Sequence, residues 1–302
     1  MKKKILQFAI ACLKAALAVG IFVLCNILAM HILRKSGVDL DVYAGATEIL
    51  SGGLSLLALI LFWRIDRSLT GEYIDLRKPK ASLTLCSVIT ALGLTGLVYI
   101  YLMAADYLSD YINSLRENLD QYRDTVNRYS QVPQKQVPLW DSIVYIVSLF
   151  TLVPVLEEFL FRGIVMGQMR KIAPGWAAVL IQAVVFALLH GISIHIGYAL
   201  ICGIVLGAVY MLCENLWMSI TVHAVFNLLG SALPTFLSLE QIGIPNKMQT
   251  DISYILILTE YFLMFPAALA FVYIWYRHKK MKEEEKLMAS AVTEASAEET
   301  LC

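Results

Sequence analysis

The sequence predicts an all-α membrane protein, a polytopic bundle of about eight transmembrane helices, and two observations carry this prediction. First, 59% of the 302 residues are hydrophobic and only 16% are charged, whereas soluble domains carry about 25% charged residues. Second, apolar runs of about 20 residues, the length that crosses a bilayer as a helix, recur along almost the whole chain. Backbone polar groups in lipid must be bonded within their own segment, which favours helices.

Eight apolar segments are candidate membrane spans. They lie at about 14–33, 46–63, 83–105, 140–168, 176–190, 192–213, 216–236 and 252–276. If the amino terminus is cytoplasmic, the cytoplasmic segments hold more than twice as many lysines and arginines as the external segments. We therefore expect both termini in the cytoplasm, in a multi-pass protein of the cell membrane.

The expected domain organisation is simple. Residues 1–280 are predicted to form one transmembrane helical domain, and residues 281–302, rich in Glu, Ala and Ser, a flexible cytoplasmic tail. The longest external connection, residues 106–138, repeats tyrosines and leucines at helical spacing between charged residues, which predicts an amphipathic helix. The net charge of zero gives no reason to expect a nucleic-acid partner.

Ionisable side chains interrupt the later spans, where a single charge costs about 2.5 kcal/mol or more. In the fourth span, Glu157 and Glu158 precede Arg162. Glu158 and Arg162 are four positions apart and so are neighbours on a helix, whereas Glu157 is turned away from that line. One carboxylate is therefore expected to pair with the arginine and the other to be free for chemistry. A purely structural network at the helix end is an equally weighted alternative.

Two further motifs follow in the fifth and seventh spans. Phe186-x-x-x-His190 ends the fifth span, and Glu157 and His190 are equally far from the turn near residues 173–174. In an antiparallel hairpin these two residues are expected to face each other. His223-x-x-x-Asn227 in the seventh span places a histidine and an amide on one helix face, where both need polar partners in lipid. A lone histidine in an apolar helix is more often a core residue, but the shared depth favours a site.

This set of side chains suits the hydrolysis of an amide bond. A carboxylate beside a histidine can activate water as a general base, and a second histidine with an asparagine can donate hydrogen bonds to an oxyanion. We expect no cofactor. Zinc held by the glutamate and both histidines is the alternative, although no H-E-x-x-H helix is present. Glu260 in the eighth span has no evident partner and is assigned no role.

The order and spacing of the motifs resemble those of a known family. The motifs are Glu157-Glu158-x-x-x-Arg162, Phe186-x-x-x-His190 and His223-x-x-x-Asn227. They resemble the CPBP family, the CAAX-protease and bacteriocin-processing membrane proteins also called the Abi family, of which the type II CAAX prenyl endopeptidase is a distant relative. The resemblance covers a motif-bearing core at about residues 140–236.

The resemblance implies an intramembrane endopeptidase. Glu157 and His190 would activate the water, and His223 and Asn227 would stabilise the oxyanion. The supporting residues would be Glu158, Arg162 and Phe186. The implied substrate is a hydrophobic or prenylated, CAAX-like peptide or a bacteriocin-type peptide. A non-catalytic immunity or scaffold protein of the same fold is the alternative, and a proton-coupled transporter is a weaker one, because the two halves show no inverted repeat.

Overall fold

The structure is a computed structural model that describes residues 2–67, 79–131, 137–191 and 194–299. No strand occurs among these residues, which confirms the all-α prediction. The helices are α1 (Lys2–Lys35), α2 (Ala44–Ile65), α3 (Ala81–Ser109), α4 (Asn113–Gln131), α5 (Leu139–Phe150), α6 (Leu152–Glu158), α7 (Gly167–Met169), α8 (Gly175–Leu189), α9 (Ile194–Cys213), α10 (Leu216–Asn227), α11 (Leu233–Leu237) and α12 (Asn246–Glu299). Two π-helical segments, Phe159–Met166 and Leu228–Ala232, join α6 to α7 and α10 to α11.

Within the described residues, seven helical spans are long and apolar enough to cross a membrane. Five are the single helices α1, α2, α3, α9 and α12, and the other two are the composite spans Leu139–Met169 and Leu216–Leu237. The fifth predicted span is α8, which is apolar but only 15 residues long. The chain is therefore a multi-pass membrane protein in which each of the eight predicted segments is helical. The cytoplasmic orientation of the termini stays a prediction.

The connection that was expected to be external and the carboxyl-terminal segment both contain helix. The amphipathic helix predicted within residues 106–138 is confirmed as α4, and residues 132–136 lie outside the described part. The flexible tail expected at residues 281–302 stays a prediction, and α12 continues to Glu299 in the described part of the chain. The reason is composition: Glu, Lys and Ala are strong helix formers, and pairs such as Lys282–Glu285 link successive turns. Residues 300–302 lie outside the described part, and the division into domains stays a prediction.

The fourth span is interrupted at two places. α5 ends at Phe150, and the backbone at Thr151 (φ −119°, ψ −72°) departs from helical values before α6 begins. Pro154 causes this break, because it has no N–H to donate to the carbonyl of Phe150. From Phe159 to Met166 the chain then winds as a π-helix, a distortion that frequently occurs at functional sites.

α5 also anchors the start of α2. The carboxylate of Asp141, buried in the first turn of α5, accepts hydrogen bonds from the backbone N–H groups of Gly45 (2.8 Å) and Ala46 (2.9 Å). These are amide groups that the first turn of a helix cannot satisfy by itself. A side chain 95 or 96 residues away along the chain therefore caps α2 and holds it against the fourth span.

Close packing of α9 on α8 depends on the two glycines of a G-x-x-x-G pattern. A Cβ atom on Gly203 would lie 2.9 Å from the Cα of Ala183, and one on Gly207 would overlap the side chain of Gln182. Small residues at such positions let membrane helices approach closely. The consequence is that backbone atoms of α9 come within hydrogen-bonding reach of polar side chains on neighbouring helices.

We predict that Gly203→Ala lowers the free energy of unfolding in detergent by about 1–3 kcal/mol, because the added methyl group overpacks the α8–α9 contact. Gly53→Ala on α2 is the matched control, since its Cβ would meet nothing within 4 Å. The control should be neutral or more stable by up to about 1 kcal/mol, because alanine favours helix. Unfolding by a denaturing detergent measures both, and equal stabilities of the two variants would contradict the prediction.

Candidate active site

A buried ion pair within one helical turn lies at the centre of the candidate site. Nη1 of Arg162 lies 2.8 Å from Oε1 of Glu158, and both side chains are fully buried. The structure thus confirms the prediction that Glu158 and Arg162 are neighbours on the helix. Arg162 also donates to the backbone carbonyl of Gly203 at 3.4 Å, and Gln182 of α8 donates to the same carbonyl at 2.7 Å. The pair is therefore tied to both α8 and α9.

His223 of α10 brings the seventh span to this pair. Its Nδ1 lies 2.7 Å from Oε1 of Glu158, a residue 65 positions earlier, and its Nε2 lies 3.7 Å from Oε2 of Glu157. A carboxylate can only accept, so Nδ1 of His223 carries the proton. Nε2 is then the nitrogen available for chemistry, and it faces the second carboxylate. The seventh span thus reaches the depth of the fourth.

The two adjacent glutamates have different environments. Glu158 is fully buried, and its Oε1 atom is bonded to both Arg162 and His223. The side chain of Glu157 is 15% exposed and, within the described residues, accepts no hydrogen bond. The ion-pair contact that it makes there is with Nε2 of His223. The sequence-based expectation that one carboxylate pairs with Arg162 and the other is free agrees with this geometry. Glu157 is the carboxylate that can accept a proton without breaking a structural bond.

The ring of Phe186 contacts the arginine and both histidines of the candidate site. The guanidinium of Arg162 lies over the ring at 4.7 Å from its centre, a favourable cation–π geometry. The ring of His190 packs at 4.4 Å and that of His223 at 6.2 Å. The buried ring of Phe161 meets Phe186 edge-on at 4.9 Å. Phe186 therefore packs against Arg162, His190 and His223, and its supporting role in catalysis, implied by the resemblance, stays a prediction.

His190 does not make the predicted contact with Glu157, since no hydrogen bond or ion pair joins the two in the described part of the chain. α8 ends at Leu189, and the backbone N–H of His190 bonds to Ala187 rather than continuing the helix. The carbonyl of Phe186 is left without its helical donor and accepts from Nδ1 of the His190 ring at 2.8 Å. This bond fixes the ring on its own helix, with Nε2 as the remaining free nitrogen.

Asn227 lies one turn after His223 on α10, but its amide serves a different neighbour. Nδ2 donates to the carbonyl of Leu149 at 2.8 Å, at the end of α5 where the break before Pro154 leaves carbonyl groups without helical donors. One amide hydrogen of Asn227 remains. Its assignment to an oxyanion stays a prediction.

Two polar residues near the site were not identified from the sequence. Glu48 of α2 is close enough to Glu157 for their negative charges to repel each other, and α2 packs against α6. Glu48 is an acid within an apolar span, so the rule that singled out Glu157 would also have found it. Gln182 was equally visible as an amide inside α8. By contrast, Glu260 is buried where α12 packs on α3, and no described contact joins it to the site.

The described residues contain no group of three or more His, Cys, Asp or Glu side chains arranged to hold a metal ion. Glu157 and His223 approach each other, but Nδ1 of His223 is taken by Glu158, and no polar bond joins His190 to either. The side chains present therefore do not fit the three-ligand zinc site that was the alternative prediction.

Comparison with known proteins agrees with the resemblance seen in the motifs. Residues 139–229 match a known family. Its model is described as type II CAAX prenyl endopeptidase Rce1-like, and the matched segment contains all seven motif residues. The chain is also 22% identical over 133 residues to the "Putative membrane peptidase YdiL" of Bacillus subtilis (strain 168), covering 44% of this chain and 54% of that protein. The chain thus spans about half the length of this relative. No solved structure matches the chain significantly.

We predict that Arg162→Met lowers the free energy of unfolding by about 3–5 kcal/mol, because it leaves the fully buried Glu158 without its main compensating charge. The double substitution Glu158→Gln with Arg162→Met should recover part of this loss. Arg116→Met, which breaks an exposed ion pair with Asp110, is the control and should change stability little. Unfolding in detergent is the measurement, and an Arg162→Met protein as stable as the control variant would contradict the prediction.

Proposed function

We propose that the protein is an intramembrane endopeptidase that hydrolyses a peptide bond in a hydrophobic or lipid-linked peptide. The observation that carries the proposal is the division between the two glutamates. Glu158 holds the site together, while Glu157 is partly exposed, unbonded among the described residues, and 3.7 Å from Nε2 of His223. The matching family model describes a prenyl endopeptidase, and the similar protein is named as a putative membrane peptidase. Both support peptide-bond hydrolysis.

In the proposed reaction, Glu157 takes a proton from a water molecule as that water attacks the carbonyl carbon of the peptide bond. The oxygen of the carbonyl becomes an oxyanion, and the proton then passes to the leaving amine as the C–N bond breaks. The remaining amide hydrogen of Asn227 can donate to the oxyanion. The Nε2 atoms of His190 and His223 can accept a hydrogen bond from the attacking water, and either histidine donates to the oxyanion only once its Nε2 is also protonated. Relative to the roles implied by the family, the geometry favours His223 rather than His190 as the direct neighbour of Glu157.

The location of the site constrains the substrate. All of these residues belong to apolar, membrane-spanning helices or to the end of α8, so a scissile bond must enter from the bilayer or from a membrane surface. A peptide with a prenyl group or an apolar segment satisfies this requirement, and a bacteriocin-type peptide is the second substrate class. From the distribution of lysines and arginines we expect both termini in the cytoplasm, and the basic end of the fourth span on the same side.

We predict that Glu157→Gln lowers cleavage by about 100- to 10,000-fold, the contribution of a general base, while the protein stays folded. Two probes would be tested in liposomes: a fluorogenic peptide carrying a farnesylated cysteine followed by three residues, and the same peptide with an apolar helix in place of the farnesyl group. Glu260→Gln is the matched control, because it changes a buried membrane glutamate outside the site. Full activity of Glu157→Gln would refute the mechanism.

The alternative of a non-catalytic immunity or scaffold protein predicts a different result in the same experiment. Neither probe would then be cleaved by the unaltered protein, and Glu157→Gln would leave the cellular phenotype intact.

We also predict that chelation leaves the cleavage rate unchanged, since the described side chains do not form a three-ligand metal site. Purified protein would be treated with a zinc chelator and assayed with the farnesylated probe, and protein treated with the zinc-loaded chelator is the control. Loss of activity that zinc restores would instead establish metal-dependent hydrolysis.

A further inference from the structure

A column of aromatic rings runs from the external helix α4 to His190. His195, in the first turn of α9, meets the ring of His190 at 5.0 Å and stacks almost parallel on Tyr198 at 4.5 Å. Tyr122 of α4 packs edge-on against both, at 6.2 Å from His195 and 6.1 Å from Tyr198. The column thus ends on a histidine of the candidate site, although α4 itself does not enter the site.

Two further contacts hold α4 in this position. Leu119 is buried in a small apolar cluster with Ala105 of α3 and Ile194 at the start of α9. Arg123, next to Tyr122, forms an ion pair with Asp106 at 2.6 Å. The apolar face of this amphipathic helix is therefore occupied by α3 and the beginning of α9, directly beside the end of α8.

His190 needs such external support because it lies where its own helix ends. The bond from Nδ1 to the carbonyl of Phe186 fixes one edge of the ring, but it still allows the ring to tilt. Phe186 packs on the ring at 4.4 Å and His195 at 5.0 Å. Aromatic rings in offset or edge-on contact restrain one another, so His195 limits the tilt and with it the direction of Nε2.

We propose that His195 is a positioning residue for His190, and that Tyr122 makes α4 part of the support of the active site. This inference rests on the proposed function, because it assigns His190 a task in the hydrolysis. It explains why the external connection is a packed amphipathic helix rather than a simple loop.

The first test compares two substitutions of His195 in the full-length protein with the farnesylated probe. His195→Ala should lower kcat about 10- to 100-fold, the effect of misplacing a catalytic group, with little change in KM. His195→Phe retains a ring that can contact both neighbours and should recover most of kcat. His31→Ala, at an exposed position of α1, is the control. Unchanged kcat in His195→Ala, or equal losses in the Ala and Phe variants, would overturn the proposal.

The second test asks whether α4 acts through the same column. Tyr122→Ala should lower kcat, and Tyr122→Phe should not, because the ring contact is kept. The double variant Tyr122→Ala with His195→Ala should lose little more kcat than either single variant, since both substitutions disrupt the same chain of ring contacts. Tyr111→Ala, an exposed tyrosine just before α4, is the control. Fully additive losses would contradict the proposal. If His195→Ala fails to fold, the single variants Tyr122→Ala and Tyr122→Phe still test it, and an unchanged kcat in Tyr122→Ala would overturn the role of α4.

The two proposals can fail separately. If Glu157→Gln retains full activity, the proposed function is wrong and the inference falls with it. If Glu157→Gln is inactive while His195→Ala and Tyr122→Ala both match the unaltered protein, the function stands and only the positioning role is wrong.

Discussion

A charge can stay inside an apolar bundle only when opposite charges or hydrogen-bond donors are held against it, and Glu158 is the residue at which this constraint acts. One oxygen of its carboxylate binds Arg162 on the next turn and His223 on α10. Arg162 in turn reaches the backbone of α9. Three spans thereby share one polar centre, and separation of α9 or α10 from it would leave a buried hydrogen-bonding group without its partner.

Because Glu158 makes the bonds of this polar centre, Glu157 is available to accept a proton. Neighbouring carboxylates on one helix point in different directions, so Glu158 can bond to the other spans while Glu157, 15% exposed, lies beside His223. Glu48 on α2 adds a second carboxyl group near Glu157. A structural and a chemically available acid are thus placed side by side, and the same histidine touches both. The arrangement suits a site in which the catalytic group must be kept free of structural bonds.

The features that could be predicted from the sequence are those set by local spacing. Apolar run length predicted the eight helical segments, and the i, i+4 interval predicted the pairing of Glu158 with Arg162. No direct bond joins Glu157 and His190 in the described part of the chain, and the expectation that they face each other had assumed regular helices on both sides of the turn. The π-helix from Phe159 to Met166 rotates the fourth span, and α8 ends before His190. Contacts between distant segments, such as Glu158 with His223, leave no periodic signal in one sequence.

The spacing of the Glu158–Arg162 pair also bears on how the chain enters the membrane. Spans are synthesised in order, so the fourth must be accommodated before His223, 65 residues later, exists. Because acid and base lie one turn apart on the same segment, they can neutralise each other within the nascent helix, without help from a later partner. The charge of Glu158 is therefore already compensated by Arg162 when the fourth span enters the bilayer. The contact of His223 with Glu158 forms later, when the seventh span docks.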